Sequence, residues 1–301
     1  MPRSPGWYYS GSTTTDLQED GVMTAEPDRD AAGSETAEAL EEAADSTGLD
    51  VLARSGFAVL AVLHILIGSI AAGIAFGGYG QAETSGAIGP LARSEPFGPL
   101  LMWGGCIACA SLALWQLAEA TVRVRHRPPR ERLVKGVSSG ALVFIYGSVA
   151  ATFAAFASGR GRDSGDSTSD FSAVLLASPA GAPALAAVGA LVLGVGGYFV
   201  FKGSARRFRP ELNYFEDTRR GHLLNALGVA GHIGKGIALA LVGLLFIAAA
   251  VNHRAEESTG LDGSLQALLG YPFGAPLILA IAAGLICYGL FALVRARWGK
   301  M

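Results

Sequence analysis

Six stretches of this chain, roughly residues 52–76, 97–121, 133–157, 181–202, 224–250 and 274–296, are each apolar over a bilayer's length. A hydrocarbon core of about 30 Å takes about 20 mainly apolar residues per helix. Each stretch is rich in Ala, Leu, Val, Ile and Gly on all faces instead of carrying one apolar stripe, so each belongs in lipid or in a deep interior. Six such helices leave too little amphipathic chain to cover them from water. Only 16% of the 301 residues are charged, against about 25% in soluble chains. Strands are excluded by the absence of two-residue alternation and by segment length. The sequence therefore predicts an all-α polytopic membrane protein, in which each backbone polar group finds its partner within its own helix.

Charge divides the chain. Residues 1–50 carry twelve Asp/Glu against Arg3 and Arg29, a balance of −10, whereas residues 51–301 carry a balance of +8. The acidic head has no apolar run long enough to bury, which predicts a disordered tail. It lacks the basic start and apolar core of a secretory signal. Trp7, Tyr8 and Tyr9 form a candidate docking motif there, and Met23 is an alternative start.

Basic residues concentrate in alternate connections. Arg123, Arg125, Arg127, Arg130, Arg132 and Lys135 lie between the second and third spans. Lys202, Arg206, Arg207, Arg209, Arg219 and Arg220 lie between the fourth and fifth, and Arg295, Arg297 and Lys300 close the chain. The other loops, 77–96, 158–180 and 251–273, balance few basic residues with acids. The positive-inside rule then places both termini in the cytoplasm of a cell whose inner (plasma) membrane holds the protein. The basic loops are short, so anionic lipid headgroups are their expected partner, not nucleic acid.

The chain also repeats itself. LIGSIAAGIA (66–75) in span 1 parallels IYGSVAATFA (145–154) in span 3 and, more weakly, LVGLLFIAAA (241–250) in span 5. The even spans open on Pro96-Phe97-Gly98, Pro179-Ala180-Gly181 and Pro272-Phe273-Gly274. Those prolines follow Gly68, Gly147 and Gly243 by 28, 32 and 29 residues. Nineteen residues beyond each proline stands an aromatic (Trp115, Tyr198, Phe291), and twenty-three beyond stands Glu119, Lys202 or Arg295. Proline suits a helix start, and the neighbouring glycine suits a tight outer turn. The result is three tandem helical hairpins: repeat 1 over 51–125, repeat 2 over 130–208 and repeat 3 over 222–298. Parallel repeats of this kind suggest a pseudo-threefold arrangement about the membrane normal.

With Ala53-Arg54-Ser55-Gly56-Phe57 opening the first unit, the Gly-x-x-Ala-type core of span 1, and Pro96-Phe97-Gly98 with its counterparts, the chain resembles the domain of unknown function 1206 family of actinobacterial six-helix membrane proteins. The resemblance covers about residues 50–298; Ala180 departs from the Phe of the other two copies. It implies a multi-pass plasma-membrane protein and supplies no activity, cofactor or catalytic residue.

Candidate chemistry is sparse. His64 sits mid-span, where an ionisable group is by default a functional-site hypothesis; a hydrogen-bonded structural histidine is the alternative, and a haem would need a second imidazole at its depth. Lys235 lies in span 5, either snorkelling to the cytoplasmic edge or meeting a carboxylate such as Glu119 inside the bundle. Cys106 and Cys109 share a helix face but have no second pair for zinc and no redox context, so they read as small apolar filler. The glycines of span 4 (GALVLGVGG, 189–197) suit close helix contact and are not a phosphate loop. No cofactor, metal ligand or catalytic residue is assigned. The expected role is a non-enzymatic structural or accessory membrane component, a homo-oligomer or partner of another membrane protein. A small-solute transporter or channel is the alternative, and a membrane redox or haem protein using His64 the third.

Overall fold

A computed structural model of the chain describes residues 47–78, 80–121, 128–212 and 219–299. Residues 1–46 of the acidic head, with the aromatic motif and Met23, and the basic residues 123, 125, 127 and 300 lie outside them, whereas 47–50, expected in the disordered tail, form the start of the first helix.

Six long helices carry the expected spans: α1 (Thr47–Ala75), α3 (Gly98–Thr121), α4 (Pro129–Ala157), α6 (Gly181–Ser204), α7 (Arg219–Asn252) and α9 (Gly274–Trp298). Each is long and apolar enough to cross a membrane; the protein is a multi-pass membrane protein. Among the described residues there is no strand, only an isolated bridge between Leu212 and Gly299. Segments 77–96, 158–180 and 251–273 read as loops in the sequence. Each instead holds a short helix: α2 (Thr84–Ala92), α5 (Ser164–Leu176) and α8 (Gly260–Leu269). They are too short and too rich in Gly and Ser to announce themselves by periodicity.

The Pro-x-Gly turns then have a steric reason. A side chain on Gly98, Gly181 or Gly274 would collide with the backbone oxygen of Ala92, Leu175 or Leu268 respectively. The last turn of each short helix thus packs onto the first turn of the next long one, and glycine leaves room for it.

The helices form an incomplete ring. α1 packs on α3, α3 on α4, α6 on α7, α7 on α9 and α9 back on α1, but no comparable packing joins α4 to α6. Three of these seams, α3·α4, α6·α7 and α9·α1, repeat one relation, in which the second helix of a repeat meets the first helix of the next. That is the cyclic order a pseudo-threefold bundle requires. It also differs from simple hairpins, because the two long helices of repeat 2 are held apart.

Two seams are built alike. Ala61 and Gly68 on α1 face Ala282 and Gly289 on α9, and Gly236 and Gly243 on α7 face Gly189 and Gly196 on α6; every pair is seven residues apart. A Cβ on Gly289 would lie 2.6 Å from the Ala61 oxygen, and one on Gly236 would lie 2.6 Å from the Gly196 oxygen. Lipid chains are as apolar as leucine, so helices gain by close backbone approach, which small residues allow. In the third seam Gly140 and Gly147 of α4 meet open space, and Phe153 packs over Gly105 instead.

At the end of the bundle away from the basic loops, the three short helices meet. The Ala82 amide donates to Asp262 Oδ1 at 3.0 Å, and the Asp262 amide donates to Glu83 Oε1 at 3.1 Å. Ser85 and Ser164 exchange amide-to-hydroxyl bonds, and the Ser258 hydroxyl donates to that of Ser172 at 2.7 Å. Beside them Gln81, Asp163, Asp166, Thr259, Asp262 and Gln266 line a cleft of about 310 Å³. Glu83 is 7% exposed; burial, with Asp163 and Asp262 nearby, pushes its carboxyl up to about 7.

The sign of the pH effect follows. An unfolded Glu loses its proton near about 4.3, so between that pH and about 7 the folded cap holds a proton the unfolded chain has released. This contribution to stability is present at low pH and lost as pH rises through the window, on the order of 3 kcal/mol in all. Thermal unfolding in detergent is expected to fall from pH 5 to pH 7.5, and Glu83→Gln, which keeps an acceptor for the Asp262 amide, is expected to flatten that fall. An equal slope in the variant would assign the dependence to another group.

Candidate functional site: a cationic and aromatic cluster inside the bundle

The clearest concentration of chemistry lies where α1, α6, α7 and α9 face one another. Tyr288 of α9 is its hub. The His64 ring of α1 lies 4.8 Å from the Tyr288 ring, centroid to centroid, and the His232 ring of α7 lies 5.3 Å from it. Lys235 of α7 places Nζ 4.1 Å from the Tyr288 centroid and 5.0 Å from that of Phe199 on α6.

Each histidine first satisfies its own helix. The Nδ1–H of His64 donates to the Leu60 carbonyl, and that of His232 to the Gly228 carbonyl, both at 2.7 Å. A carbonyl can only accept, so Nδ1 carries the proton and Nε2 is left to the surroundings. His232 is fully buried, stacked on Phe208 at 5.0 Å and edge-on to Phe291 at 5.2 Å. Both imidazoles lean on Tyr288 instead of facing each other across an open gap, which is not the arrangement of paired haem ligands.

One layer closer to the basic end sits an ionic clamp. A turn at Arg209–Glu211, between α6 and α7, brings Glu211 between two cations. Lys202 of α6 pairs with Glu211 Oε1, and Arg295 of α9 reaches Oε2 at 3.0 Å. Burial pushes the Glu211 carboxyl up, but Arg295 and Lys202 overcome it and hold the group below the usual carboxylate range. The Arg295 guanidinium also lies 4.6 Å from the Phe57 ring of α1.

The opening motif of the first repeat acquires its reason here. Arg54 donates to the carbonyls of Ala296, Arg297 and Gly299 at 3.1, 3.3 and 3.4 Å, a cation on the unsatisfied last carbonyls of α9. Gly56 lets α1 approach the α3 backbone at Ala108, and Phe57 supports Arg295. The start of repeat 1 is thus fastened to the end of repeat 3.

Of the three residues singled out from sequence, the structure brings His64 and Lys235 to one hub. Glu119 is not part of it. It is buried near the end of α3, which packs on α1 and α4, whereas α7 packs on α6 and α9. Lys235 is not at a helix edge either: α7 begins at Arg219 and runs 34 residues, and Lys235 sits near its midpoint with its ammonium turned onto aromatic rings. Cys109 is fully buried and Cys106 partly so, both packed in an apolar cluster with Met102 and Phe153.

Tyr288, Phe199 and Glu211 were missed, although a signal existed. Between repeats 1 and 3, His64 corresponds to Leu239, Lys235 to Leu60 and Tyr288 to Leu112. The cluster is built where these copies depart from each other.

Comparison with known proteins agrees with the architecture. The chain is similar to an uncharacterized protein, YxxB, of Bacillus subtilis (strain 168), at 27% identity over 256 residues, which covers 82% of this chain and 90% of that protein. No solved structure matches. Residues 55–123, 137–206 and 230–299 each match the family described as Domain of Unknown Function (DUF1206). With three matched copies across most of its length, the chain belongs to the DUF1206 family.

Proposed function

We propose that this protein is a non-enzymatic accessory component of the cell membrane, with both termini in the cytoplasm. The sidedness rests on the basic residues at one end of the bundle, where Lys202, Arg206, Arg207, Arg209, Arg219, Arg220, Arg295 and Arg297 gather. The accessory role rests on how that end is closed. Arg54 fastens α1 to α9, Glu211 joins Lys202 to Arg295, and the rings of Phe208, His232 and Phe291 pack together beside them, Phe291 edge-on to the other two. A braced end of this kind suits a rigid body on which another membrane protein, or a second copy, assembles through small-residue helix faces.

The cluster around Tyr288 favours a second reading, a small-solute transporter, because such sites lie near mid-membrane at the interface between repeats. Reconstituted vesicles separate the two. The accessory role predicts solute permeability equal to that of empty vesicles, and recovery of a stoichiometric partner from native membranes, tested with and without residues 1–50. Saturable uptake that disappears in Lys235→Met would replace this reading with transport.

A further inference from the structure

We infer that the gap between α4 and α6 is a lateral entrance through which one anionic phospholipid reaches Lys235. Three observations converge on it. The ring of helices is joined at every neighbouring pair except α4 and α6, so its interior faces the lipid on that side. The residues there are not packed away: His64, Lys235 and Tyr288 are each partly exposed although they sit at mid-helix. Charge is unbalanced. Lys202, Lys235 and Arg295 bring three cations to the interior, and Glu211 answers two of them. Among the described residues no carboxylate pairs with Lys235, whose contacts are the Tyr288 and Phe199 rings.

A cation in hydrocarbon is costly, and aromatic contact offsets part of that cost. An anion arriving with its own acyl chains supplies the rest. The phosphate oxygens accept from the Lys235 ammonium and the Tyr288 hydroxyl, while the chains lie between α4 and α6 against Phe144, Leu191 and Val195, all exposed apolar side chains of those two helices. A zwitterionic lipid brings a second cation to the same place and is disfavoured. This assignment goes beyond the accessory role and stands whether or not a protein partner is found.

The test is native mass spectrometry of the full chain, released from detergent doped with equal amounts of phosphatidylglycerol and phosphatidylcholine. The wild type is expected to retain one phosphatidylglycerol with a preference of roughly tenfold, the scale of one favourable charge contact. Lys235→Met, which keeps the unbranched apolar stem without the charge, is expected to lose the preference, and Lys235→Arg to keep it. Arg220→Gln, at an exposed position of the basic end, is expected to leave it unchanged. An unchanged preference in Lys235→Met overturns the assignment. So does an equal loss in Arg220→Gln, which would mark surface attraction, or displacement of the lipid by inorganic phosphate. Monodisperse elution of each variant excludes misfolding as the cause.

Discussion

Replacing Gly236 by leucine is expected to separate α7 from α6 and cost about 3 kcal/mol, the upper part of the range for overpacking a close contact. The obstacle is chiefly backbone, with the Val200 side chain beside it. The added Cβ alone would stand 2.6 Å from the Gly196 oxygen and 2.8 Å from the Val200 nitrogen. Neither helix can yield locally, because Gly189 and Gly243 form the same contact seven residues away. The control is Gly147→Leu. Gly147 is the repeat counterpart of Gly243, yet a Cβ there meets nothing within 4 Å. Thermal unfolding in detergent is expected to drop sharply for Gly236→Leu and to change little for Gly147→Leu. Equal losses would mean that repeat position, and not backbone proximity, sets the cost.

Glu211→Ala is the second large effect. Lys202 and Arg295 are 13% and 25% exposed at the side chain, and both direct their charge at this carboxylate. Removing one member of a largely buried ionic group leaves the others uncompensated, which costs about 3 kcal/mol. Glu211→Gln is expected to lose less, because its amide oxygen keeps an acceptor for one of the two cations. In the wild type the same carboxylate is held below its usual range, so the clamp contributes fully above the unfolded value of about 4.3 and weakens as pH falls through the depressed one. Limited proteolysis after Arg206 or Arg207 gives an independent readout. Faster cleavage in Glu211→Ala is expected where the connection between α6 and α7 is no longer pinned.

The spans could be read from sequence because twenty or more apolar residues admit one solution in lipid. Their predicted limits fall within five residues of the helix ends. The repeat was equally legible, since Pro96, Pro179 and Pro272 keep fixed offsets to the aromatic and ionisable positions behind them. What remained hidden were relations between distant segments. Lys202 and Arg295 share a repeat position, but nothing in that position announces Glu211, which comes from an irregular turn. Lys235 looked like an edge residue because the start of α7 lies within a polar stretch, Arg219 to His222, that hydropathy does not count as helix. The short outer helices escaped for a related reason. They hold few apolar residues, and Glu83, Ser85 and Ser172 are buried through hydrogen bonds made across the repeats.

The joining of α1 to α9 carries the whole arrangement, since it closes the ring on one side and leaves α4 and α6 apart on the other. Ile65 of α1 and Ile286 of α9 flank this seam, each beside the glycine of the opposite helix. With Cys106, Cys109 and Cys287 replaced by alanine, a cysteine at each of the two positions and a protease site inserted between residues 122 and 127 put the question directly. In native membranes, a short thiol-reactive linker is expected to hold the two fragments together after cleavage. Fragments that separate despite complete reaction of both cysteines would contradict the ring.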